Sequence, residues 1–464
     1  MPSRRPNVVL VLADDLGYGD IGCFGNHDLD TPHIDALAAG GVRLTQHYSA
    51  SPLCGPARGA LLTGCYNHRV GALSVESNRG LDRISLNYGT IADEFARGGY
   101  ATGMVGKWHS GLFDRRYHPN ARGFREFAGF LNGGMDYYDW VLDYDGRPLR
   151  SDGRYLTDVF TDEAIGFISR HSSESFFLHV AYNAPHAPLQ APEEDVRPYA
   201  ETGRFNPGVS ALYGMIARMD RGIGRIVATL REQGLLDDTI MLVTSDNGPW
   251  LGGCEGHQMT RYNGPFRGMK QDVLEGGIRV PAVVHWPAGL PAGSEVHRMF
   301  HFCDWSPTLL GACGLAPRQT DGVNLLSSLR GEPGSDPARR FWQFNRYEPV
   351  ANCNAAMRDG DWKLYWPRIP EAMHKLPGDN SWYRRMFSEP HFEMPLPDPH
   401  FIPRELSAPR DPQLFNLAED PHEDHDLAAV HPDRTARMVN ELRNWFDRVQ
   451  AERRELPEYS GTGN

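Results

Sequence analysis

No C-x-x-C pair, no Asn-x-Ser/Thr sequon and no apolar stretch long enough to cross a bilayer occurs in this chain. The seven cysteines are widely spaced, which argues against a disulfide framework and a structural zinc site. Without a sequon, N-glycosylation is not expected. The longest apolar run near the start, Val8 to Ala13, falls far short of the roughly 20 residues of a membrane span. Arg4 and Arg5 are not backed by an apolar segment, and the run after them ends in Asp14 and Asp15, so a secretory signal is not expected. Positive charge is also lacking. A net charge of -12 with no basic stripe argues against nucleic-acid binding. Neither a low-complexity tract nor an internal repeat is found. A cytoplasmic, reducing setting is the simplest expectation, with no membrane partner; the oligomeric state is left open.

What is present is a globular composition, 40% hydrophobic and 23% charged over 464 residues, enough for a large domain with a smaller one attached. Asn7–Ala13 is a continuous, β-branched-rich apolar run, as expected of a buried parallel strand. Phe176–Ala181, Thr239–Thr244 and Val280–His285 read the same way, with Pro281 marking the last as an edge or irregular strand. Helical spacing lies between them. Thr31-Pro32 is a helix start, and Asp158–Ser169 and Leu212–Leu230 follow. This alternation predicts an α/β fold, a mostly parallel sheet covered by helices on both faces. After about residue 320 the pattern changes to short strands at Phe341–Phe344, Trp362–Tyr365 and Gln413–Leu417, then a helix over Thr435–Arg448. The expectation is a catalytic domain over 1–320 and an α+β subdomain over 321–464, interrupted by a long loop at about 367–411.

Two apolar strands end in acids, Asp14-Asp15 and Asp246-Asn247. Ligands in open α/β sheets bind at the carboxyl ends of strands, and oxygen donors gathered there suit Ca²⁺ or Mg²⁺. Either pair alone would be ordinary helix-capping or loop polarity. Cys54 stands before Pro56 and a helix-forming stretch, which puts it at a helix N-terminus, a natural anion site, with Arg58 one turn on. A Cys-x5-Arg phosphatase loop is excluded because position 60 is alanine.

Cys54-x-Pro56-x-Arg58 followed by Leu61-Leu-Thr-Gly64 resembles the signature of the formylglycine-dependent (type I) sulfatases of the alkaline phosphatase superfamily. Asn7–Asp20, Gly106-Lys107-Trp108-His109, Ala184-Pro185-His186-Ala187-Pro188, Thr244–Gly248, Pro265–Lys270, Glu275–Pro281 and Leu414–Glu423 are similar to family blocks, in family order, over nearly the whole chain. One departure is Ala57, where the family often has serine; the installing enzyme reads Cys-x-Pro-x-Arg, which is intact.

The resemblance implies an alkaline phosphatase-like fold and hydrolysis of aryl or carbohydrate sulfate monoesters. It implies that a formylglycine-generating enzyme oxidises Cys54 and that Ca²⁺, with Mg²⁺ as the alternative, is held by Asp14, Asp15, Asp246, Asn247 and residue 54. It further implies that Arg58 steadies the nucleophile, that Lys107 and Lys270 neutralise sulfate oxygens, that His186 protonates the leaving alcohol with Lys270, and that His109 assists release of sulfate. A phosphonate monoester hydrolase or phosphodiesterase of the same superfamily is the rival reading; the lysine pair favours sulfate. For the substrate, Asn132–Trp140 is a candidate aromatic wall. His257, Trp382, Arg384 and Arg385 are candidate contacts, the last three in a segment, His374–His400, that is a candidate cover for the pocket mouth.

Overall fold

The computed structural model describes residues 5–112, 114–316, 318–334, 339–376, 378–379 and 403–460. Asn7–Ala13 forms a strand buried at every position. Its side chains divide by the strand's period of two. Val8, Leu10 and Leu12 join one hydrophobic cluster, and Val9, Val11 and Ala13 join another on the opposite face. A strand with apolar partners on both sides reads as an unbroken hydrophobic run.

This strand lies inside a ten-stranded sheet. From edge to edge the order is Ser294–Val296, Val42–Leu44, Ala282–His285, Thr239–Ser245, Asn7–Ala13, Phe176–Ala181, Ala101–Lys107, Glu126–Phe130, Val141–Tyr144 and Arg147–Arg150. The five strands from Thr239–Ser245 to Glu126–Phe130 run parallel. Their register aligns Ala13 with Ser245 and Leu12 with Ala181, so the residues that follow leave the sheet side by side. Ala282–His285 runs antiparallel inside the sheet, not at its edge. Pro281 stands just before it, and the Thr244 hydroxyl donates to the Pro281 carbonyl at 2.7 Å. The proline therefore makes the strand start irregular without making it an edge.

Helices cover both faces. Cys54–Thr63 and Phe302–Ala312 pack together with one cluster, while Leu156–Arg170 and Pro207–Glu232 serve the other. The C-terminal region builds a four-stranded antiparallel sheet, Arg339–Gln343, Ala355–Asp359, Trp362–Trp366 and Gln413–Asn416, closed by the helix Pro432–Arg454. Ala355–Asp359 has no counterpart in the sequence reading, although the Asp359-Gly360 pair marks its turn: Gly360 adopts φ 59° and Asp359 pairs with Trp362. One hydrophobic cluster runs through both regions, joining Leu10, Leu61 and Trp305 to Trp366, Leu414 and Trp445.

Candidate active site

Cys54 is the first residue of the helix Cys54–Thr63. Ala57, Ala60, Leu61 and Leu62 bury its length, and Gly64 ends it at φ 70°, donating its N–H to the Ala60 carbonyl. Leu53 at the N-cap provides no side-chain acceptor, so the first turn keeps its positive end open beside the Cys54 thiol. Arg58, one turn on, is 1% exposed. Side chains on a helix lean toward its N-terminus, which carries the guanidinium back beneath Cys54.

Three acids and three cations meet there. Arg58 grips Asp246 Oδ2 through Nε at 2.9 Å and Nη2 at 2.8 Å, and its Nη1 donates to the Lys107 carbonyl at 3.0 Å. Lys107 Nζ lies 2.6 Å from Asp14 Oδ2. Lys270 Nζ lies 2.6 Å and 2.8 Å from the two Asp15 oxygens. Asn247 Nδ2 donates to Asp15 Oδ1 at 2.7 Å, and the Asp15 N–H donates to Asp246 Oδ1 at 3.2 Å. Three carboxylates against three cations leave no net charge. A divalent ion would make the site +2, ready for the single negative charge of a sulfate monoester. Both Asp15 and His109 hold left-handed backbone, at φ 66° and 50°, conformations that non-glycine residues adopt mainly where the surrounding fold imposes them.

Burial penalises every charge here, and the neighbours decide the outcome. Burial alone would raise Asp15, but Lys270 and His186 hold it well below the usual carboxylate range. Asp246 is raised to about 6, by burial and by the Asp14 carboxylate. His186 is lowered to about 3, by burial and then by Lys270. His109 falls well below its ordinary value, from burial and then Lys107 and Arg58. The Cys54 thiol is pushed up by burial, so an unmodified cysteine here is a poor nucleophile.

The donors fit a hard divalent ion. Asp14 Oδ1 and Asn247 Oδ1 are buried acceptors with no hydrogen-bond partner, Arg58 Nη2 coming only within 3.8 Å of the first, an arrangement that a bound cation would relieve. Asp14, Asp15 and His186 also offer ligand atoms within 4.8 Å of one another. Asp246, by contrast, has both oxygens engaged within the protein. His109 carries two buried ring nitrogens with no partner among the described residues, leaving it free for a reacting group.

Some of the machinery was not visible in the sequence. Lys270 rides on a loop that the C-terminal sheet holds in place. Buried Asn354 donates to the Gln271 carbonyl at 2.8 Å and accepts from the Val273 N–H at 3.2 Å. Arg368 pairs with Asp272. Glu423 accepts from the Glu275 N–H at 2.7 Å, and Lys363 bridges Glu275 and Glu423 at 2.9 Å each. The Gln271 N–H in turn donates to the Pro52 carbonyl at 2.8 Å, two residues before Cys54. The signal for Asn354 is weak in sequence, an asparagine beside a short strand.

The substrate candidates fare differently. Tyr137 and Trp140 are buried supports instead of a pocket wall. Tyr137 donates its hydroxyl to the Asn183 and His186 carbonyls at 2.8 and 2.9 Å, and so braces the His186 loop. Gly133 lies against the His109 ring, where an added Cβ would come within 2.9 Å of Cε1. His257 packs against Gly208 at the start of the helix Pro207–Glu232. Trp382, Arg384 and Arg385 lie outside the described residues. The cavity beside His186 and Lys270 is instead walled by Trp250, Leu189, Leu212 and Met259.

A family model described as Sulfatase matches residues 6–315. The chain belongs to the sulfatase family, the sulfuric ester hydrolases. It is 31% identical to the N-acetylgalactosamine-6-sulfatase of Canis lupus familiaris, over 92% of this chain and 82% of that one. It is 30% identical to human arylsulfatase A, over 92% of this chain and 84% of that one. Among solved structures, Ps i-CgsB in complex with k-i-k-neocarrahexaose superposes with a TM-score of 0.79 at 29% identity, covering 99% of this chain and 95% of the other. This sulfatase keeps the acids, the lysine pair and both histidines in one buried cluster around Cys54.

Proposed function

We propose that this sulfatase acts on a carbohydrate sulfate, with Cys54 matured to formylglycine by a formylglycine-generating enzyme and Ca²⁺ held by Asp14, Asp15, Asp246 and Asn247. The observation that carries the reading is the pair of orphaned acceptors, Asp14 Oδ1 and Asn247 Oδ1, beside a helix N-terminus that begins at Cys54. An oxygen-rich donor set favours Ca²⁺, with Mg²⁺ as the alternative. A sugar substrate is supported by the similarity to N-acetylgalactosamine-6-sulfatase and to the oligosaccharide-bound Ps i-CgsB.

When present, the formylglycine hydrate supplies the attacking hydroxyl and the divalent ion withdraws charge from the sulfate. The chain's own residues do the rest. Lys107 and Lys270 neutralise the non-bridging oxygens as charge builds on the departing oxygen. Arg58 cannot lose its proton and holds residue 54 and Asp246 in register. His186 bonds the Ala187 carbonyl at 2.7 Å through Nδ1, which must then carry hydrogen, so Nε2 faces the site, 3.8 Å from Asp15 Oδ2. Nε2 carries no proton of its own in that neutral form, so it relays one from the Lys270 ammonium beside it to the leaving alcohol. His109, whose ring nitrogens are unclaimed, takes up the proton shed when residue 54 is regenerated.

The lysine pair, with both ammonium groups inside the cluster, favours sulfate over the phosphonate monoester reading. None of the seven cysteines is paired with another, which is compatible with the reducing, cytoplasmic setting expected from the sequence. The test is mass spectrometry of the residue 54 peptide from protein made with the maturing enzyme, alongside sulfate release from a panel of aryl, sugar and choline sulfates. Matured protein that releases sulfate from no sugar ester ends the carbohydrate reading. An unmodified thiol in fully active protein ends the formylglycine assignment.

A further inference from the structure

Beside His186 and Lys270 lies a cavity of about 230 Å³, room for a single ring. Its position fixes its role, since whatever alcohol receives the His186 proton must extend into it. Trp250, Leu189 and Met259 form an apolar wall. The Trp250 indole N–H is already spent on the Gly253 carbonyl at 3.1 Å, so this residue offers an apolar face and no donor.

The charges lining this cavity are internally satisfied. Asp15 is paired with Lys270 at 2.6 Å. Arg261 holds Asp20 through Nε and Nη2 at 2.7 Å each, and its Nη1 donates to the Trp250 carbonyl at 3.0 Å. Once Lys270 serves the reacting sulfate, the described lining leaves a second anion on the same ring only Arg261, already committed to Asp20 and the Trp250 carbonyl, so its desolvation is poorly compensated. One polar group does stand free. The Gln271 backbone is tied on both sides, to Pro52 and to Asn354, while its carboxamide makes no hydrogen bond among the described residues. A fixed backbone with an unused amide donor and acceptor suits a hydroxyl group.

Resting on the sulfatase reading above, we propose that this cavity selects a neutral pyranoside carrying one sulfate, its C–H face on Trp250 and a ring hydroxyl on Gln271. Pyranosides with a carboxylate or a second sulfate on the same ring are excluded. The matured enzyme is assayed on galactose 6-sulfate, on a doubly sulfated galactoside and on acyclic propyl sulfate. The neutral monosulfate turns over with the highest kcat/KM. Trp250→Ala lowers the ratio of kcat/KM for galactose 6-sulfate over propyl sulfate about tenfold, mainly through KM, as an aromatic contact of this kind predicts. Gln271→Asn, which tolerates the left-handed backbone at φ 77°, lowers the same ratio a few-fold. A wild-type preference for the doubly sulfated sugar overturns the proposal, and so does an unchanged ratio in both variants. Absence of turnover on every ester, propyl sulfate included, marks failure of the sulfatase reading itself.

Discussion

Asp14, Asp15 and Asp246 leave the ends of adjacent parallel strands, whereas Lys270 sits on a loop that touches none of those strands' ladders. The strand-borne acids are located by the register of the sheet. The Lys270 N–H is tied to the Pro249 carbonyl at 2.8 Å, but the rest of its loop depends on Asn354, Arg368, Lys363 and Glu423, which come from 84 or more residues further along the chain. One half of the site is therefore positioned by backbone ladders and the other by side chains of a separate sheet. The first arrangement tolerates little movement; the second couples the chemistry to how well the C-terminal sheet is docked.

Substitutions on either side of this contrast separate the two. Asp246→Ala removes a charge, a carboxylate that we propose faces the metal and the partner of buried Arg58, and it is expected to cost several orders of magnitude in turnover. Turnover within tenfold of wild type would remove Asp246 from the metal site. On the other side, Asn354 has φ 45°, so Asn354→Gly keeps the backbone relaxed and deletes the side-chain bonds to the Lys270 loop together with one to the Phe344 carbonyl. A supporting residue of this kind typically contributes about 10- to 100-fold. The expected loss is in kcat with KM little changed. A lower melting temperature with unaltered kcat would show that Asn354 merely stabilises the fold.

Smaller effects are expected further from the chemistry. Replacing residues 380–402 with a short Gly-Ser linker should alter the ranking of substrates more than thermal stability, read from the same ester panel and a melting curve. Equal activity on all esters after the exchange would count against a role in specificity. Within the clamp, two carboxylates share one lysine: Glu275 is lowered to about 2 and Glu423 raised to about 7, burial being the main cause of the rise at Glu423. A carboxyl raised above its unfolded value of 4.5 contributes stability that is complete below that value and lost as pH climbs through about 7. Glu423→Gln stays uncharged throughout, so its melting temperature relative to wild type should rise between pH 5 and pH 8. A difference that stays flat across that range would mean the shared proton is absent.

The legibility of the sequence follows the same division. Apolar runs ending in Asp14-Asp15 and Asp246-Asn247 could be read because a strand and its terminal residues are contiguous. Cys54, Pro56 and Arg58 could be read because one helical turn relates them. Lys107, His109, His186 and Lys270 were reached through family resemblance, and the structure gathers the four side chains into one electrostatically linked group. Asn354 and Glu423 act across long separations through single hydrogen bonds, and no local pattern announces that. Tyr137 misled because an aromatic-rich stretch has the same composition whether it faces a ligand or braces a loop from behind. Trp250 follows Asn247 by three residues and was available to sequence reasoning, but nothing local distinguishes a pocket wall from a core residue.

The unbroken hydrophobic cluster that joins Leu10 and Trp305 to Trp366, Leu414 and Trp445 bears on how the chain comes apart. A seam between two independently folding pieces would melt in two steps and invite cleavage near residue 320. With the interior continuous and Lys363 buried against two acids of opposite origin, the whole chain should lose its structure in one cooperative transition. A polypeptide halted at residue 320 would expose that interior to water and forfeit the anchor for Lys270 together. Recombination among relatives of this protein would therefore have to exchange the C-terminal sheet and the Lys270 loop as one inherited block.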